Sequence, residues 1–137
     1  MTKKVTKEAA ANKSNNSGYF IDFERLERWN RSPTVIIQSR LCPGCQSKLE
    51  SRTKGTNLNT LLANIRSCCS KNPDFITTKM TLSEKVFKIL LVSNNEPVPV
   101  NQLMKELEER SSGSISISEE ALKRLLDNDQ FYGFNHT

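Results

Sequence analysis

Leu58, Leu61, Leu62 and Ile65 recur at i, i+3, i+4 and i+7, a spacing that puts all four on one face of an α-helix. Continuing that stripe reaches Cys68 and Cys69, and Asn72-Pro73 ends the helix just beyond them. Farther along, Leu82, Val86, Leu90 and Leu91 form a second stripe with Phe87 beside it, preceded by the capping box Thr81-x-x-Glu84. Asn94-Asn95-Glu96-Pro97 stops this helix, and another begins near Asn101 with Leu103, Met104 and Leu107 inward. After the loop Ser111-Ser112-Gly113, the alternation Ser114-Ile115-Ser116-Ile117 suits a short strand. Ser118 then caps a further helix that is expected to turn Ala121, Leu122, Leu125 and Leu126 inward, and Phe131-Tyr132-Gly133-Phe134 reads as an aromatic strand or turn.

The first third of the chain is less regular. Residues 1–17 have no periodic apolar positions and are expected to form a disordered tail. Order begins near Tyr19-Phe20-Ile21. Asp22 caps a short helix with Phe23, Leu26 and Trp29 at threefold spacing. Ser32-Pro33 looks like a cap followed by a proline at the first helical position, although the β-branched run Thr34-Val35-Ile36-Ile37 suits a strand equally well; a helix is favoured. The fold expected is mainly α. It divides into a tail (1–17), a helical zinc-knuckle-like region (18–78) and a three-helix region with a small β element (79–137), and the last two regions can share one core.

Three helices in this order, with a short strand before the third and an aromatic strand after it, resemble a winged-helix, or helix-turn-helix, module. The phrase Pro97-Val-Pro-Val-Asn-Gln-Leu-Met-Lys-Glu-Leu107 resembles the turn and second helix of such domains, and the likeness covers residues 81–134. It implies a third helix, Glu119–Leu126, placed where many of these domains read DNA. Here that helix opens with Glu119-Glu120 and offers only Lys123 and Arg124, so its charge opposes phosphates and favours docking to a protein.

Charge divides the chain in two. Residues 1–80 carry 14 Lys/Arg against 6 Asp/Glu, whereas residues 81–137 carry 6 against 9, giving +8 and −3. A polyanion should therefore meet the first half. Between residues 31 and 71, Arg31, Arg40, Lys48, Arg52, Lys54, Arg66 and Lys71 face a single acid, Glu50, and aromatic residues flank them. Arg40, Lys48, Arg52, Lys54 and Arg66 are the candidate phosphate contacts. A mean hydropathy of −0.54 and the lack of any apolar run near the ~20 residues of a membrane span point away from a membrane. No apolar segment follows the first lysines as a secretory signal would require, so a cytoplasmic, reducing location is expected.

In such a compartment cysteines bind metals more readily than they form disulfides. Cys42-Pro43-Gly44-Cys45 and the adjacent Cys68-Cys69 supply four thiols in two pairs, the number one tetrahedral Zn²⁺ needs. A Pro-Gly turn would aim the first pair, and a helix end would present the second. Adjacent side chains diverge unless the backbone bends, so both Cys68 and Cys69 ligate only if it does. Free core cysteines, a thiol redox pair and an iron–sulfur cluster are the alternatives. His136, the one histidine, sits two residues from the end as a bystander.

No Gly-rich phosphate loop and no histidine placed as a general base accompany these residues, so catalysis is not expected. The composition suggests a small zinc-stabilised regulatory or accessory protein. Its basic half would touch DNA or RNA and its acidic half another protein. A protein-interaction adaptor docking through Phe131, Tyr132 and Phe134 is the competing expectation, and a redox or iron–sulfur sensor is a third.

Overall fold

The computed structural model describes residues 18–50, 57–110 and 116–137. The expected tail, and with it Arg52 and Lys54, lies outside the described residues.

Most of the elements follow from local chemistry. Strand β1 (Gly18–Ile21) runs into α1 (Phe23–Arg28), where the Asp22 carboxylate accepts from the Arg25 N–H. Helix α2 (Pro33–Gln38) follows. The Ser32 cap and the proline at its first position prevail over the β-branched run, and Ile36 and Ile37 are buried while Val35 is exposed. Helix α3 (Pro43–Glu50) begins inside the cysteine motif. Helix α4 (Leu58–Ser67) buries Leu61, Leu62 and Ile65 as their spacing requires, and a short 3₁₀ turn, Cys69–Lys71, follows it.

Helix α5 (Leu82–Val92) is the axis of the molecule, with every residue from Lys85 to Leu91 buried. Thr81 caps it by accepting from the Glu84 N–H at 3.1 Å, but the Glu84 side chain turns elsewhere instead of closing a capping box. Asn94 and Asn95 end the helix in left-handed backbone, at φ 62° and 59°, a conformation asparagine tolerates well. Strand β2 (Val98–Pro99), α6 (Val100–Arg110), α7 (Glu119–Asp127) and β3 (Phe134–His136) complete the chain.

The sheet joins the two ends of the described chain. Its order is β2-β1-β3 and both pairings are antiparallel, so the earliest strand is the central one. The boundary expected at residue 78 is therefore crossed by strand pairing, and also by one hydrophobic cluster running from Ile37 and Ile65 through Phe87 and Leu90 to Leu122 and Phe134. Asn95 splints the edge of β1, accepting from the Ile21 N–H at 2.7 Å and donating to the Ile21 carbonyl at 2.9 Å.

Two expectations change. Ser114 and Ile115 lie outside the described residues, and Ser116 and Ile117 are in no strand; the places beside β1 are already filled by β2 and β3. In α7, Leu122 and Leu126 are buried as expected, but Leu125 is 38% exposed and Ala121 only partly covered. A nine-residue helix lying on α6 and β3 buries one narrow stripe.

The turn before β3 is organised by Asp129. Its carboxylate accepts from the backbone N–H groups of Phe131, Tyr132, Gly133 and Phe134. Gly133 has φ 82°, and a Cβ there would stand 2.8 Å from Cγ of the fully buried Leu26. Gly133→Ala combines backbone strain with a core collision, and we expect a loss of about 2 kcal/mol, read as a lowered midpoint in thermal unfolding.

Candidate metal centre

The first cysteine pair is held by a helix start, not by a free-standing turn. Pro43 and Gly44 form the opening of α3, leaving Cys42 at the capping position and Cys45 in the first turn. Proline suits that place because its missing N–H would have had no helical partner. A capping side chain and the residue three later approach each other across a helix start, which turns two sulfurs toward one point. The Cys45 N–H bonds back to the Cys42 thiol, and this bond leads in pulling the Cys42 pKa down to about 7.

The second pair meets the requirement for a bent backbone. Cys68 ends α4 with φ −129° and ψ −63°, far from helical values, and Cys69 starts the 3₁₀ turn. The bend separates the two side chains. Cys68 is exposed, whereas Cys69 is fully buried.

Cys42, Cys45 and Cys68 bring their sulfurs within 3.5–3.8 Å of one another, a group that could hold a metal ion. The Cys42–Cys68 separation is 3.8 Å, well beyond the ~2.05 Å of a disulfide. The Cys69 sulfur adjoins the same group. It accepts the Cys42 N–H at 3.1 Å and interacts with the Cys42 and Cys45 thiols. Burial pushes the Cys45 and Cys69 thiols up; for Cys69, the Cys42 N–H pulls the other way. A divalent cation among these sulfurs would reverse that balance by favouring thiolates.

The other candidate residues are scattered. Arg40, expected at a phosphate, is turned inward. Its Nε and Nη2 donate to Oε2 and Oε1 of Glu84 at 3.0 and 2.8 Å, and its guanidinium lies 5.0 Å above the Phe87 ring. Tyr132 donates to the same Glu84 carboxylate at 3.0 Å. Lys48 and Arg66 are exposed, on α3 and α4. Of the aromatic end, Phe134 is buried, Tyr132 is partly buried, and Phe131 is 48% exposed with the Arg31 guanidinium 3.9 Å above its ring. His136 packs its ring at a tilt against Tyr19 at the sheet, away from the thiols.

Sequence reasoning missed the roles of three polar residues. The sequence places Glu84 in a cap and Asp129 among the acids after the last helix, and gives no sign of Lys88, whose Nζ donates to the Phe75 carbonyl at 2.7 Å. Burial lowers the Lys88 pKa. A small cavity of about 160 Å³ between Lys88, Arg40 and the thiols of Cys42 and Cys69 adjoins the centre. Only Asp129 had a local signal, an aspartate directly before a turn ending in glycine.

No protein-family model, curated protein or solved structure matches this chain.

Proposed function

We propose that the chain is a small zinc-stapled accessory protein without catalytic activity, which contacts nucleic acid through basic side chains beside the staple. The observation that carries the metal assignment is the sulfur spacing. Four thiolates at about 2.3 Å from one Zn²⁺ stand about 3.8 Å apart along each tetrahedral edge, and the three sulfurs already keep 3.5–3.8 Å. Cys69 is the fourth ligand in this reading; its sulfur adjoins the trio but is not one of the three that lie together. A polynuclear iron–sulfur cluster would hold its cysteines farther apart, with irons and sulfides between them, so a single ion fits better.

The role is structural because four protein ligands leave no open position for substrate. Lys48, Arg66 and Lys71 are exposed on the elements that carry the thiols, and this supports polyanion contact there. Helices α5, α6 and α7 with β2 and β3 follow one another as in a winged helix, with β1 in place of the strand that a wing would return. The exposed Glu119 and Glu120 at the start of α7 disfavour that helix as a reader of bases.

Native mass spectrometry of the purified chain is expected to show one zinc ion per chain. Salt-dependent binding to duplex DNA or RNA is expected to weaken about tenfold on Lys48→Glu/Arg66→Glu. A folded, metal-free chain removes the staple, and binding that ignores the charge reversal removes the basic face. A second reading, a protein-interaction adaptor, is favoured by the half-exposed Phe131.

A further inference from the structure

Three large apolar side chains are exposed among the described residues, and two of them, Leu125 and Phe131, lie in one groove. The groove is open and holds about 800 Å³ between α7, the start of α5 and the turn before β3. Leu82, Ile117, Ala121 and Leu125 line it, with Arg124 at its edge. Its walls are far more apolar than a solvated surface needs, and the stripe Ala121–Leu125 is only partly covered by the described residues.

The charges beside that stripe point to what covers it. Glu120 and Arg124 stand one turn apart on the same flank of Ala121 and Leu125, and both are exposed. Neither has an ion-pair partner among the described residues. A two-fold axis through the stripe would lay a second α7 antiparallel on the first. Flanks then meet like flanks, so each Glu120 falls opposite Arg124 of the second copy, and both pairs form at once. Along the seam each Leu125 lies over the small Ala121 opposite, a large-on-small match that lets two helices approach closely.

We infer that this face is a self-association surface and that the chain forms a two-fold dimer through antiparallel α7 helices. The inference rests on the adaptor reading only in treating the Phe131 groove as a docking face, and it assigns that face to a second copy.

Sedimentation velocity of the full zinc-loaded chain over a range of concentrations tests it. The mass is expected to rise with concentration from 15.5 kDa to twice that value. Leu125→Glu should hold the chain at monomer mass with unchanged helical circular dichroism. Glu120→Arg and Arg124→Glu should each weaken the dimer about tenfold, and the double reversal, which restores both cross pairs, should return most of the affinity. Only 15.5 kDa species at every concentration would overturn the dimer while leaving Phe131 open to a different protein. A dimer indifferent to Leu125→Glu, or a double reversal no tighter than either single one, would place association on another face and overturn it equally. Zinc stoichiometry is read separately, so loss of the metal assignment would not be mistaken for loss of the dimer.

Discussion

Stripping metal from the purified chain with a strong chelator is expected to lower its thermal midpoint by roughly 15 °C. Cys42 and Cys69 lie 27 residues apart, and closing a loop of that length restrains the unfolded chain by about 3–4 kcal/mol. An ion bound there would add its own affinity, because no preformed site survives unfolding. Without it, Cys45 and Cys69 remain as buried thiols beside α2 and α4, and the hydrophobic cluster around α5 persists. The result expected is a weakened, still partly helical protein, at about 3–4 °C per kcal/mol for a chain of this size. Cys45→Ser should reproduce the shift without chelator. Cys69→Ser separates three ligands from four, since a three-thiolate site would keep its zinc. A melting curve that ignores chelation would show that the sulfurs only fill space.

Arg40→Ala has the next largest expected effect, a loss of about 2–3 kcal/mol. The bidentate pair with Glu84 is mostly enclosed, with side-chain exposures of 17% and 19%, and removing one member leaves the other without its counter-charge. Burial alone would raise the Glu84 carboxyl, but hydrogen bonds and charge from Arg40, with help from Tyr132 and Lys88, hold it below the usual carboxylate range. The sign follows directly. A depressed folded pKa gives stability that is complete above the unfolded value of about 4.3 and fades as pH falls through the lower folded value. Following the Glu84 carboxyl carbon by NMR should show a midpoint below that of a free glutamate. In Arg40→Ala the midpoint should move upward, and an unmoved midpoint would refute the coupling.

How much of this was legible beforehand differs by element. Helices α4 to α7 could be read because each presents an apolar stripe and an Asn, Thr or Ser cap, or follows a Pro break, all of them local signals. The thiols were legible in part: two cysteine pairs suggest convergence, and Cys42, Cys45 and Cys68 do come together, whereas the bend at Cys68 that turns Cys69 into the core has no local signal. Arg40 was not, since a basic residue in a basic stretch looks the same whether it meets phosphate or a glutamate 44 positions away. Nor was the role of Gly18–Ile21. A four-residue segment carries too little periodicity to announce a strand, and its partners β2 and β3 lie far along the chain. Leu125 was misplaced because a hydrophobic pattern cannot tell a helix covered on one side from one that awaits a neighbour.

The order of the sheet bears on how the protein is made. Synthesis yields β1 early and β3 late, and Gly18 and Thr137, 119 positions apart, end up bonded to each other. At about 5–20 residues per second the wait is on the order of ten seconds. Until Asn95 and β2 are made, the emerging Tyr19-Phe20-Ile21 has neither edge paired, and from then until β3 is made one edge stays open, an adhesive ribbon that any other nascent chain could seize. The final aromatic turn is thus also the clasp that ends this exposure, and lesions near it should appear first as poor yield in the cell.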